Sequence, residues 1–294
     1  MKMKALNGWI CSVAVGLLLG VPAANADVVG SIFLTGHDPD FHALEGGNAV
    51  GAQAITQAAI NFIMDPAFNT FVAGGTKEFL FVECDTCAVP SGHVDGIPGI
   101  TDSAGGFPAG TTFETHGAAD GLATELTKLG TKYSGLVIGS DFGGMLTQAE
   151  LDILNADQSG IFNFLNAGGG LYGMSEGSGC CALTTTNRWG FLPFVTTVDP
   201  NDQGEVGFTV TPFGASLGLT NADVNGNASH SVFTDKFGLN IVDTDPEGEI
   251  LSLAGRGQVS TGGVVPEPGS VFLLGTGLLL IAGRFTFRKK MSQK

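Results

Sequence analysis

Three short stretches of the chain carry residue types that could do chemistry. The first is His37-Asp38-Pro39-Asp40-Phe41-His42, with two imidazoles and two carboxylates inside six residues. Such a set can hold a divalent cation through His37 and His42. The same letters are also turn chemistry, because Asp side chains flanking a proline accept backbone hydrogen bonds. The second is Gly173-Met174-Ser175-Glu176-Gly177, which fits the G-x-S-x-G pattern of a nucleophile elbow. A serine there needs a base, and His230 follows it in the order serine then histidine. With 46 glycines in the chain such matches arise easily by chance, and the SGCCALTTTNRWG that follows is a poor helix, so a tight turn is the expected reading. The third is Cys84-Asp-Thr-Cys87, a redox-type spacing. Cys180 and Cys181 complete an even set beyond Cys11. In an oxidising compartment four cysteines favour disulfides over a four-thiolate zinc site, and a bridge from the first pair to the second is expected. Asp223-Val-Asn225-Gly-Asn227 has calcium-loop letters, but glycine is not sixth and Thr234 stands twelfth, which favours a turn.

The elements that must position these groups alternate in type. Val29–Thr35, Glu78–Glu83, Thr111–Thr115, Gly135–Gly139 and Leu171–Met174 read as strands, four of them unbroken apolar runs. Between them Asn48–Met64 has apolar residues at helical spacing and stops before Asp65-Pro66. Ala118–Leu129 reads as a helix. Thr147 with Glu150 forms a capping box that opens another, and Ile161–Ala167 ends at three glycines. Pro90–Gly110 reads as a Gly/Pro-rich loop. Gly207–Pro212, Ser231–Thr234, Leu239–Val242 and Ile250–Ala254 read as further strands, at the far edge of the same sheet or in a small β addition. Alternating strands and helices imply a parallel sheet covered on both faces. Ligands of such sheets bind beyond the carboxyl ends of the strands. That rim collects His37, Asp38, Asp40 and His42, then Cys84 and Cys87, Glu114 and His116, Asp141, and Ser175 with Glu176.

The two ends read as addresses. Lys2 and Lys4, the apolar run Ile10–Val21 and Ala24-Asn25-Ala26 make a signal peptide over residues 1–26, handled by the Sec machinery. Near the other end Pro266-Glu267-Pro268 precedes an apolar run and the basic residues Arg284, Arg288, Lys289 and Lys290. The segment 269–287 is a short membrane-span candidate whose basic flank belongs inside the cytoplasm. These three features in order resemble the PEP-CTERM sorting signal, over residues 263–294. The resemblance implies an exosortase as processing partner, transient residence in the inner membrane, then release or attachment at the cell surface, often beside exopolysaccharide. The intervening 27–262 is expected to be one domain. All 28 acidic residues lie between Asp27 and Glu267, against six basic ones, a net charge of −22. Nucleic-acid binding is disfavoured, because phosphates demand a basic surface, whereas a surface of this sign attracts cations.

The stretch from Tyr133 to Met174, with LTQAE opening a helix and AGGGL preceding a strand, is similar to ThuA-like domains of the class I glutamine amidotransferase-like group. GHDPDFHA and NASHSVF fit that group's first loop and later His-containing stretch. The resemblance implies a flavodoxin-like α/β fold. Where the group usually has a His or a Cys nucleophile, this chain has Ser175-Glu176. The expectation is therefore a non-catalytic domain binding a small ligand or glycan. The alternative is a secreted hydrolase using Ser175 with Glu176 and His230, or a metal at His37 and His42. No cofactor is expected beyond such a cation.

Overall fold

The computed structural model describes residues 30–141, 143–174, 188–192, 198–200, 206–226, 229–260 and 263–265. Strand β1 (Gly30–Thr35) is buried along its whole length and leads into a single-turn helix α1 (Pro39–His42). Helix α2 (Ala49–Ile63) starts at Asn48, whose side chain accepts the Gly51 N–H, and buries Ile55, Ala59, Phe62 and Ile63. The short α3 (Thr70–Ala73) delivers the chain to β2 (Glu78–Val82). After β2 the expected loop contains a helix, α4 (Gly96–Ser103), despite its glycines and proline. Asp95 caps it, Pro98 sits in its first turn where no donor is lost, and Ile100 is fully buried. Packing outweighs the poor propensity there.

Strand β3 (Thr112–His116) is followed by a 3-10 turn at Ala118–Asp120 and by α5 (Leu122–Leu126). The single helix expected across 118–129 is broken at Gly121, where φ is 98°. Strand β4 (Tyr133–Ile138), α6 (Gln148–Ala156), α7 (Gln158–Asn166) and β5 (Gly170–Gly173) follow. The Thr147/Glu150 capping box is present, and Glu150 also accepts the Ala118 N–H at 2.7 Å. The later part adds β6 (Val198–Pro200), β7 (Thr209–Val210), α8 (Pro212–Ser216), α9 (Asn221–Val224), β8 (Ser231–Phe233), β9 (Asn240–Thr244), β10 (Ile250–Ser260) and β11 (Gly263–Val265).

The main sheet runs β3-β2-β4-β5-β1-β10-β8-β6. The first five strands are mutually parallel, and β10 joins β1 antiparallel over Gly30↔Gly257 to Thr35↔Ser252. The later strands are therefore the far edge of the same sheet. β3-β2-β4-β5 follows the 2-1-3-4 part of the flavodoxin-like order, with β1 in the place of its fifth strand. Ile32, Leu80, Leu136 and Leu171 face α5, α6 and α7 in one core. Phe33, Phe79, Phe81 and Val137 face α2 and α4 in the other. Helices thus cover both faces, as an α/β fold requires. Among the described residues no helix is long and apolar enough to cross a membrane. The expected signal peptide and the segment 269–287 lie outside the described residues.

Candidate functional site

The carboxyl end of β1 turns sharply into α1 against the start of β8. Gly36 allows it: a Cβ there would lie 1.9 Å from the Ser231 carbonyl oxygen. The His230 N–H donates to the Gly36 carbonyl at 2.7 Å, and His37 bridges to Ser229. This close approach puts His37, Asp38, Asp40, His42 and His230 at one end of the sheet, each no more than 5% exposed.

Asp38 is the centre. Its Oδ1 is 3.3 Å from His42 Nε2, and its Oδ2 is 3.3 Å from His230 Nε2. Neither oxygen accepts a hydrogen bond among the described residues. Burial raises the Asp38 carboxyl well above the usual range, with the neighbouring His42 opposing that shift. On the other side of His42, Nδ1 donates to the Glu45 carbonyl at 3.2 Å.

His37 is turned elsewhere. Its Nε2 lies 2.8 Å from Asp243 Oδ2, with both side chains fully buried, and its ring packs against Phe208. The pair expected to hold a cation, His37 with His42, is therefore not the pair brought together. The competing carboxylate of Asp243 holds His37, and His230 takes its place beside His42. Asp243 went unnoticed in the sequence because it sits in an apolar strand; an acid inside IVDT was the available signal.

Asp40 reaches across to β4, where its Oδ2 accepts the Ser140 N–H at 2.8 Å and its Oδ1 the Ser140 hydroxyl at 2.7 Å. Burial raises its pKa, and those bonds from Ser140 oppose the rise. Asp141 follows, fully buried. Glu83, at the end of β2, accepts the Gly96 N–H at 3.0 Å through Oε2. Desolvation, aided by a hydrogen bond with Asp95, pushes its carboxyl up to about 9, so it is a neutral acid at pH 7. Ser140 and Glu83 were missed in the sequence, since a single polar residue after an apolar run reads only as a strand end. Both flank the β2/β4 point where the strand order reverses, the usual ligand crevice of such sheets.

Glu114 and His116 form a separate group. β3 lies four inter-strand steps from β1, roughly 19 Å. Glu114 is bonded by Lys132 and, at 2.9 Å, by the Tyr133 hydroxyl. Those bonds, from Lys132 first, hold its carboxyl down at about 2. Glu114, His116 and Glu125 could together ligate a cation. Lysine ammonium groups already serve the two glutamates, since Lys128 also donates to Glu125 at 2.6 Å, and His116 faces Glu114 and Asp120.

A disulfide forms as expected, but the expected bridge from the first cysteine pair to the second is overturned, because both thiols of the first pair bond each other. Cys84 bonds Cys87, with Cα atoms 5.5 Å apart, so the C-x-x-C closes on itself. The tight turn after β2 brings the two together, and Cys84 N–H is fixed to the Met145 carbonyl. Cys180, Cys181, Ser175 and Glu176 lie outside the described residues, as do Pro266, Glu267, Pro268, Arg284 and Arg288.

Two comparisons bear on this chain. Residues 264–290 match the family described as the PEP-CTERM protein-sorting motif. That match supports an exported protein, destined for the surface or the surroundings of the cell and processed by an exosortase. No curated protein matches the chain.

Proposed function

We propose that this is a cell-surface or extracellular-matrix protein, released from a membrane-held tail by an exosortase, whose body binds a small ligand or glycan without turning it over. The sorting motif at 264–290 carries the reading. The division into a leader over 1–26, a body over 27–262 and a tail over 263–294 belongs to it. So does the ThuA-like, glutamine amidotransferase-like assignment of the body, supported by a parallel sheet with polar groups gathered at its carboxyl end. Exopolysaccharide made beside the protein is a fitting ligand. The direct test replaces Pro266, Glu267 and Pro268 by alanine in an exosortase-bearing host. The unaltered protein should lose its tail, read as a mass decrease, while the variant stays full length in the inner-membrane fraction. Release of both at the same mass would overturn the reading.

One observation favours a second reading. His230 Nε2 stands 3.3 Å from buried Asp38 Oδ2, a proximity from which a carboxylate could orient a general base once the two share a hydrogen bond. With Ser175 and Glu176 it would make a secreted hydrolase. An ion bound through His230 would take the lone pair that base needs. One equivalent of tightly held zinc in the purified protein therefore removes the serine version.

A further inference from the structure

We propose that Asp38, His42 and His230 bind a divalent transition-metal ion of the zinc class at the carboxyl end of β1. Their donor atoms lie within 4.8 Å of one another and all three residues are buried. Asp38 Oδ1 and Oδ2 lie 3.3 Å from His42 Nε2 and His230 Nε2 respectively. Ligands about 2.1 Å from a tetrahedral ion are separated by ~3.4 Å, so these atoms already stand at the edge length of such a shell.

The protonation pattern points the same way. His42 spends its Nδ1 hydrogen on the Glu45 carbonyl, so in the neutral ring Nε2 holds a lone pair. That lone pair faces Asp38 Oδ1, itself an acceptor with no hydrogen bond among the described residues. Two acceptors facing each other in a buried place call for a proton or a metal ion between them. A backbone carbonyl on the far nitrogen is also how metal-bound imidazoles are commonly oriented.

The supports are rigid. A Cβ on Gly47 would lie 2.1 Å from the Gly226 carbonyl oxygen and 2.9 Å from His42 Nδ1, so the 46–47 turn clasps the ring. Gly143 closes over the other side, where a Cβ would sit 2.9 Å from Asp38 Oδ2. The donor set selects the ion. Two imidazoles and one carboxylate suit zinc and its first-row neighbours, whereas calcium and magnesium seek oxygen. The three donors among the described residues account for three of the four positions of a tetrahedral shell. The inference does not depend on exosortase processing.

The test uses the full chain, purified without chelator, dialysed against EDTA and titrated with Zn²⁺, Co²⁺ and Ca²⁺. One equivalent of zinc should bind, raise the melting temperature and exclude Co²⁺. Cobalt alone should give the strong visible bands of a four-coordinate site with nitrogen ligands. His42→Ala and His230→Ala should abolish uptake and Asp38→Asn should weaken it at least tenfold, with folding checked by circular dichroism. His116→Gln should bind as the unaltered protein does. No uptake by the folded unaltered protein means a shared proton only, and overturns the proposal. So does uptake that survives both histidine variants, that vanishes in His116→Gln, or that prefers Ca²⁺. Should the histidine variants fail to fold, the cobalt spectrum of the unaltered protein still decides: bands of a six-coordinate oxygen shell overturn the proposal.

Discussion

At the scale of single residues, the buried acids do most to set how the protein responds to its surroundings. Glu83 is fully buried and its carboxyl is pushed to about 9, against an ordinary value near 4.5. Between those values the folded state keeps a proton that the unfolded chain has released. The stability due to Glu83 is therefore present at acid pH and declines as pH rises toward 9, by at most ~1.4 kcal/mol per pH unit. Glu83→Gln keeps the acceptor for the Gly96 N–H and offers an amide to Asp95. Urea melts at pH 5, 7 and 9 should show the variant losing distinctly less stability across that range than the unaltered protein. Equal slopes would mean that Glu83 is ionised in the fold. Residues of this kind were the least legible in the sequence. Types and local order pointed to the His37–His42 cluster, but which imidazole meets which carboxylate depends on β8 folding back 190-odd residues later, a contact no local pattern encodes. Asp243 capturing His37 and His230 reaching Asp38 are both contacts of that long-range kind.

At the scale of elements, the sequence was far more readable. The five parallel strands, the α2 helix and the Thr147/Glu150 box declare themselves by apolar runs, helical spacing and capping chemistry. α4 and the break at Gly121 did not, because tertiary packing in one case and a left-handed glycine in the other overrode the local pattern. Asn48 shows how one residue can join two elements. It caps α2 through the Gly51 N–H, and its amide donates to the carbonyls of Ala222 and Asn225, tying α2 to α9. Asn48→Ala should cost about 2 kcal/mol, from a lost cap and two orphaned carbonyls. Asn48→Asp keeps the cap alone and should fall between the two in chemical denaturation. An aspartate variant as unstable as the alanine one would show that the cap contributes nothing.

At the scale of the whole molecule, charge dominates. The stretch from Asp27 to Glu267 carries a net −22, and among the described residues its lysine and arginine ion pairs are partly exposed: Lys128 and Lys132 serve Glu125 and Glu114, and Arg256 meets Asp65 at 3.0 Å. Exposed pairs of this sort contribute little, so repulsion among the remaining carboxylates is the larger effect. Screening should relieve it. The melting temperature is expected to rise by about 2–4 °C between 10 and 200 mM NaCl, as for roughly 1 kcal/mol in a domain of this size. A flat or falling profile in calorimetry would show that the acids are spaced too widely to matter.

The β10–β11 hairpin has a geometric consequence. β10 pairs with β1 from Thr35↔Ser252 at the Asp38 end to Gly30↔Gly257 at the other, and β11 turns back along it to Gln258↔Val265, one residue before Pro266. The polypeptide thus leaves toward its tail from the same pole at which β1 begins, opposite the pole that holds Asp38, His42 and His230. Whatever the chain is joined to beyond Val265 is therefore attached at the pole opposite the buried imidazoles of His42 and His230.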